Sequence, residues 1–353
     1  MRPEETAVFV HPDFDPIYYG FYVDGLRRVF GARSVRVGLR AFPGPNGRSS
    51  GNKMSMKILA RRPDGVRRIS VEADDMATFD PVTEGWADLV GKVNLADGEV
   101  PPRLAGRVLP LGPSFGVRAW SGFGLAALVA SIAISRLPRA RRRALVLGYL
   151  RQYARRLPEP AYRPRPSDPA YLFFSASAWV KHAEVNPPRQ RFLEACRGLP
   201  GLSVEGGFVP TVGAPPPDLH GHMAPRRYPV GDYLRKLSRS VVAFNAPAVH
   251  GCLGWKLGEY LALGKAIVSL PLTRRMPAPL THGEHVHFVG DSHAEVAAAV
   301  DLLRRDHDYR RRLERNARAY YERYLAPDAV IRRLMSAAGV EPRAGASVAP
   351  RGP

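Results

Sequence analysis

Cysteine is almost missing from this chain: Cys196 and Cys252 are the only two, they stand far apart, and neither has a metal-ligand spacing. That excludes a disulfide-framed secreted domain and a zinc ribbon, and it reads as two reduced thiols of a cytosolic protein. Lysine is scarce as well, with seven among 353 residues. Acidic residues are outnumbered, 32 Asp plus Glu against 52 Lys plus Arg, for a formal charge of +20. Long apolar runs are lacking. The most apolar stretch, residues 122–134 (GFGLAALVASIAI), falls short of the ~20 residues that a membrane-spanning helix needs. No signal peptide is expected, because MRPEETAVFV runs straight into an apolar strand.

What is present suits a globular protein. A hydrophobic fraction of 45% over 353 residues is enough for two α/β domains of ordinary size. The positive charge suggests a polyanionic partner, either nucleic acid or an anionic membrane surface. Arginine in place of lysine, together with heavy use of Ala, Pro and Gly, also fits the codon bias of a high-GC genome.

Short apolar runs alternate with helical patterns from the start. Residues 7–10 (AVFV) read as a buried strand ending in the polar loop 11–15 (HPDFD), and residues 19–30 as a helix stopped by Gly31. Further strands are expected at 34–39, 56–59, 66–71, 87–95 and 106–111, with a loop at 43–53. Such alternation predicts a mostly parallel sheet. The apolar stretch 122–134 and the arginine-rich stretch 136–156 have two readings. They are a core helix followed by a solvated basic helix, or a membrane-surface contact. Five prolines in residues 157–169 mark a linker. The expected division is an acceptor domain over 1–160, a second domain over 170–325, a terminal helix over 326–340 and a disordered tail over 341–353. In the second domain we expect a strand at 170–175, a helix around 192–196, a strand at 203–208 and a long loop over 210–230. Helices at 233–239, 294–305 and 309–324 complete it, and 328–338 is the terminal helix.

Residues 240–271, SVVAFNAPAVHGCLGWKLGEYLALGKAIVSLP, carry the most chemistry. They read as an apolar run, a glycine-punctuated loop, a short helix with Lys256 and Glu259, a glycine stop and a second apolar run. A helix opening on a glycine turn offers backbone N–H groups and the positive end of its dipole, which suits phosphate. Lys256 lies in its first turn. Glu259, three residues on, suits the hydroxyls of a sugar or ribose instead.

The phrases WKLGEYLALGKAIVSLPL, LTHGEHVHFV and DLLRRDHDYRRRLERNARAYYERYL, in that order, resemble the nucleotide-sugar-binding half of glycosyltransferases of the GT-B fold. DLVGKVNL and LPLGPSFG in the first half look like bacterial group-1-type members. The resemblance covers roughly residues 170–335. It implies two Rossmann-like domains facing across a cleft, with C-terminal helices returning toward the first. It also implies transfer of a sugar from a nucleotide diphosphate to a glycan, lipid-linked or other hydroxyl acceptor, in cell-envelope or exopolysaccharide synthesis. Many members carry two glutamates separated by seven residues. Glu259 matches the second, and Gly251 occupies the place of the first, with His250 beside it. That departure leaves the usual donor contact, and retaining chemistry with it, unsupported.

The candidate donor-binding residues are Lys181, Arg189, Asn245, Gly251, Gly254, Lys256, Glu259 and Glu284. Lys181 and Arg189 follow the first strand of the second domain, where a cation meets the diphosphate. Asn245 sits at a strand end, where open α/β sheets bind ligands, or is a turn former. Glu284 belongs to the Gly283–His285 turn expected at the pocket rim. His11, Asp13 and Glu259 are the catalytic candidates. The imidazole of His11 would take the proton of an acceptor hydroxyl. Asp13 and Asp15 would orient it, or serve as local turn and cap residues. No metal and no cofactor beyond the donor substrate is expected. The cluster His282, Glu284, His285 and His287 would need three or four converging ligands to hold zinc. The Asp13–Asp15 spacing copies a metal-binding Asp-x-Asp that belongs later in other chains. Ser114 in GPSFG matches the spacing of a nucleophile elbow without an established strand–helix context.

The reading is therefore a cytoplasmic glycosyltransferase, expected at the inner face of a membrane, with no nucleic acid as partner. The alternatives are a basic nucleic-acid- or membrane-surface-binding protein, or a GT-B domain that has lost catalysis.

Overall fold

The computed structural model describes residues 6–38, 41–42, 55–135, 137–211 and 213–341. The loop expected at 43–53 and the tail beyond Glu341 lie outside the described residues. The chain divides into two compact units. The first comprises Met1–Glu159, Arg275–Pro277 and Tyr324–Pro353, and the second Pro160–Arg274 and Ala278–Arg323.

The first unit is built on a sheet of β1 (Ala7–Val10), β2 (Val35–Val37), β3 (Ser55–Arg62), β4 (Gly65–Glu72), β5 (Leu89–Lys92) and β6 (Val108–Pro110). Their order is β2-β1-β3-β4-β5-β6. The strands run parallel except β3, which is antiparallel to both β1 and β4. A mostly parallel sheet was expected. The reversal follows from Pro63-Asp64, which joins β3 to β4 directly as a hairpin. Helix α1 (Pro16–Phe30) starts where Asp15 caps it, its Oδ1 accepting from the Ile17 N–H at 2.8 Å. Helix α2 (Pro81–Trp86) was not foreseen, and Asp80 caps it in the same way.

Helices α3 (Gly122–Ala133) and α4 (Arg139–Arg155) pack on each other, and α4 also packs on α1. In α3, Leu125, Leu128 and Ile132 are buried and their spacing marks one face. Ser114 lies in an irregular segment between β6 and α3, so no strand–turn–helix elbow presents it.

At the C-terminal ends of β4 and β5 the sheet buries an ion triad. Lys92, fully buried, donates to Glu72 Oε2 (3.1 Å), Asp74 Oδ1 (2.8 Å) and the Thr78 carbonyl (2.6 Å). Burial, partly offset by Lys92, holds both carboxyls above their ordinary range. The triad ties the 73–80 loop to two strands.

The second unit holds β7 (Tyr171–Ala178), α5 (Asn186–Arg197), β8 (Ser203–Pro210), α6 (Val230–Arg239), β9 (Ala243–Asn245), α7 (Trp255–Ala262), β10 (Ile267–Ser269), β11 (His287–Phe288), α8 (His293–Arg305) and α9 (His307–Tyr320). Its strands are all parallel, in two ladders, β7-β8 and β9-β10-β11. The Val241 N–H donates to Tyr171 O (2.8 Å) and joins them. Ser240 Oγ accepts from Phe173 N (2.9 Å) and donates to Val242 O (2.7 Å), a side chain standing in for a ladder bond. The resulting order is β8-β7-β9-β10-β11. Connections leave β7 in one direction and return through β9 in the other, so the switch point lies between β7 and β9.

Helix α10 (Pro327–Ala337) belongs to the first unit and packs on α1. Gly25 is what permits the approach, since a Cβ there would lie 2.2 Å from Pro327 O.

Lys92→Ala leaves the buried Glu72 and the half-buried Asp74 without their cation. Urea unfolding should show a loss of ~3–5 kcal/mol in the first unit. A loss near zero would mean that the triad is open to water.

Candidate functional site

The second unit's functional candidates gather where β7 and β9 diverge. Helix α7 begins there, with Gly254 at its N-cap in extended backbone (φ −71°, ψ 152°) and no side-chain cap bond. Lys256, half-buried in the first turn, reaches across to β7 and donates to the Ser175 carbonyl. Arg189 on α5 donates to Val185 O, to Ala246 O (3.2 Å) and to Pro247 O (3.2 Å), clamping the exit of β9. Neither cation makes an ion pair with a carboxylate among the described residues. Burial holds both below their ordinary pKa values. For Lys256, burial and the nearby Arg189 charge outweigh Glu259 and bring the ammonium down to about 8.

These bonds leave donor capacity. An ammonium has three N–H groups and Ser175 takes one; a guanidinium has five, and the carbonyls take three. Two cations desolvated against carbonyl oxygens alone, beside a helix N-terminus, form an electropositive seat that an anion would relieve.

Glu259 stands apart from that seat in its role. Its Oε2 accepts from the Tyr233 hydroxyl of α6 at 3.0 Å, and the residue is buried. Its charge adds to burial in raising the phenols of Tyr233 and Tyr260. It is an interior anion that moderates Lys256 from one helical turn away. Tyr233 was read only as the opening of a basic helix; the contact joins residues 26 positions apart and has no local signature.

The Gly251 and Gly254 expectations separate in the same way. His250 (φ 56°, ψ 23°) and Gly251 (φ 71°) are both left-handed. With Cys252 N donating to Val249 O (3.1 Å) and Ala248 N to Cys252 O (3.0 Å), they form a type I′ turn. The Gly251 N–H is spent on Ala248 O at 2.9 Å, inside the turn. Gly251 is therefore required by backbone conformation, with its N–H directed inward. Thr273 Oγ1 donates to Gly251 O and Arg274 donates to His250 O, pinning the turn from the segment after β10. Neither partner was foreseen. Around this turn, the exposed His250 ring meets His182 edge-on at 5.1 Å, which brings the exposed neighbour Lys181 to the same rim.

Asn245 is a structural tie. Its Nδ2 donates to Ser269 Oγ at 2.9 Å, linking β9 to β10, and Leu270 N donates to its carbonyl (3.0 Å). Glu284 is exposed; its backbone carbonyl accepts from Asn316 Nδ2 (3.0 Å) in the turn before β11. The histidines there have separate partners. His282 Nδ1 accepts from Phe288 N (3.0 Å), His285 Nδ1 from Thr281 N (3.1 Å), and His287 Nδ1 pairs with Tyr309 Oη (2.8 Å). Among the described residues no group of three or more His, Cys, Asp or Glu could hold a metal ion. A cavity of about 540 Å³ lies between β11 and α8, lined by Pro271, His287, Phe288 and Glu295 among others, and none of the seat residues lines it.

In the first unit, His11 is buried and its Nδ1 accepts from the Asp13 N–H at 3.2 Å. A neutral ring so bonded carries its proton on Nε2, so that nitrogen donates and does not accept. A base role at Nε2 requires the other tautomer, with Nδ1 released from the Asp13 N–H. Asp13 is ion-paired with Arg141 of α4, and this binding places it as an anchor for that helix.

Gly251→Ala forces a Cβ into left-handed backbone, 3.1 Å from Thr273 Oγ1. It should destabilise the second unit by ~1–2 kcal/mol. A thermal melt displaced by no more than a few tenths of a degree would mean that the turn does not have this form.

No described protein family matches the chain, and no curated protein matches it. Among solved structures, S. aureus MnaA with UDP aligns at 11% identity and a TM-score of 0.36, over 72% of this chain and 70% of that one. The GtfA/B complex aligns at 9% identity and a TM-score of 0.35, over 83% of this chain. This chain spans 64% of the GtfA/B chain's length. Alignments this loose carry no argument about donor, acceptor or reaction.

Proposed function

We propose that the second unit binds a nucleoside diphosphate sugar, and that the chain transfers the glycosyl group to a hydroxyl acceptor. The observation that carries this is the pair Lys256 and Arg189. Both are cationic, both are bonded to carbonyls only, and both stand at the start of α7 beside the switch point of a parallel sheet. The diphosphate is placed against that helix end, where the two cations and the backbone dipole meet the charge that grows as the glycosyl bond breaks. Phosphate oxygens would take the spare N–H groups of the two side chains. The sugar would extend past Trp255 and the His250 turn. The acceptor would be a glycan, lipid-linked or other hydroxyl.

A second reading has its own support. Gly251 stands where a donor-contacting glutamate was sought, and Glu259 is bound to Tyr233. A domain that binds the donor and does not turn it over would have these features. The two readings share the seat and differ in the product.

Calorimetric titration with UDP, GDP and their sugars tests the seat, and mass-detected nucleotide release tests turnover. Lys256→Met and Arg189→Met should each weaken diphosphate binding by about 10- to 100-fold, the range of a charge-assisted hydrogen bond. Binding by the parent chain should also weaken as pH rises from 7 to 9. The Lys256 ammonium, held at about 8, is charged below that range and neutral above it. A chain that binds no nucleoside diphosphate, or that binds equally well in both variants, would end the proposal. Binding without release of nucleotide would select the second reading.

A further inference from the structure

Residues 100–158 contain no acidic residue and eleven arginines. Within this stretch α3 and α4 lie side by side in the first unit. Helix α3 buries Leu125, Leu128 and Ile132, and its opposite face is exposed among the described residues. Phe123 is 88% exposed and Ile134 at its C-cap is 86% exposed. They are eleven residues apart, which at 100° per residue returns to nearly the same side of the helix, about 16 Å along its axis. Ala127 and Ala130 lie between them and are exposed. The stripe has no charged group and no hydrogen-bonding side chain, which is not how a helix meets water.

Helix α4 supplies the other half. Leu147 and Leu150 are exposed on the face that also carries Arg143 and Arg151. Arg139, Arg143, Arg151 and Arg155 are exposed and make no ion pair among the described residues. Arg141 is different, being spent on Asp13, and Arg142 donates to Ala133 O, closing the end of α3. The helix opens with Arg139, Arg141, Arg142 and Arg143 at its N-terminal end, with no acidic residue in the first turn and no side-chain cap. Cations there oppose the helix dipole. An anion placed at the same end would offset this.

We infer that α3 and α4 form a docking surface for an anionic lipid bilayer. The stripe from Phe123 to Ile134 enters the boundary between head groups and acyl chains, and the arginines of α4 meet lipid phosphates. The charge pattern selects this occupant. A second copy of the chain would set arginines against arginines with no acid to answer them. A nucleic acid would leave the apolar stripe wet, and it would find no exposed aromatic platform on α4. Tyr149 is buried, and the Tyr153 ring is covered by Arg118, whose guanidinium carbon lies 4.8 Å from its centroid. The inference goes beyond the donor seat and does not depend on it.

Sedimentation of the full chain with phosphatidylcholine vesicles, with and without phosphatidylglycerol, is the test. Binding should require the anionic lipid and fall with added salt. Phe123→Ser with Ile134→Ser, and separately Arg143→Gln with Arg151→Gln, should each weaken it by about tenfold or more. All four side chains are at the surface, so melting temperatures should match the parent, and affinity for UDP should be unchanged in every variant. The inference is overturned if the parent ignores anionic vesicles or if both double variants bind like the parent. It is overturned equally if the surface proves to join two copies or to hold an oligonucleotide while vesicles stay unbound.

Discussion

Two positive side chains held by carbonyl oxygens set the character of the second unit. Lys256 crosses from α7 to Ser175 on β7, and Arg189 crosses from α5 to the residues just past β9. Each bond joins an element on one side of the switch point to an element on the other. A carboxylate partner would have neutralised the crevice. Carbonyls satisfy the N–H groups and leave the charge in place, so the same contacts that fasten the strands keep the site electropositive. Burial, with the Arg189 charge beside it, outweighs Glu259 and brings the Lys256 ammonium down to about 8.

Much of the architecture could be read from local pattern. The strand runs at 7–10 and 66–71, the helix over 19–30 with Gly31 after it, and the helices before and after residue 307 depend on periodicity and caps, which are local. The mixed α/β class follows from that alternation. The reversed strand β3 was less visible, because a strand's direction depends on its partners. The site was read by residue type more accurately than by role. Lys256 lies in the first turn of α7 as the pattern suggests, and Arg189, expected in a loop, stands on α5. Asn245 and Gly251 were singled out for ligand contact, and the structure gives them to strand ties and a tight turn. Nothing near residue 251 in the sequence announces Thr273 and Arg274, which pin that turn from more than twenty positions away.

The lysine between α7 and β10 shows the same lesson from the other side. Lys265 is buried and its ammonium bonds Ser238 O at 3.0 Å and also Ser240 O, the carbonyls at the end of α6. The Gly264-Lys265 phrase that looked like a signature is explained by geometry. Gly264 (φ 58°) turns the chain out of α7, and Lys265 closes the C-terminus of a neighbouring helix. The first unit uses a buried cation differently. Lys92 there is answered by two carboxyl groups, so its charge is spent inside the triad and none of it is offered to a ligand.

The packing of α10 on α1 has a consequence for biosynthesis. The helix that rests on Gly25 is encoded long after the element it covers, with the second unit between them. As the chain leaves the ribosome, the second unit has its whole sequence available before the first has received its last helix. The first unit must wait with the Gly25 face of α1 uncovered until residue 337 emerges.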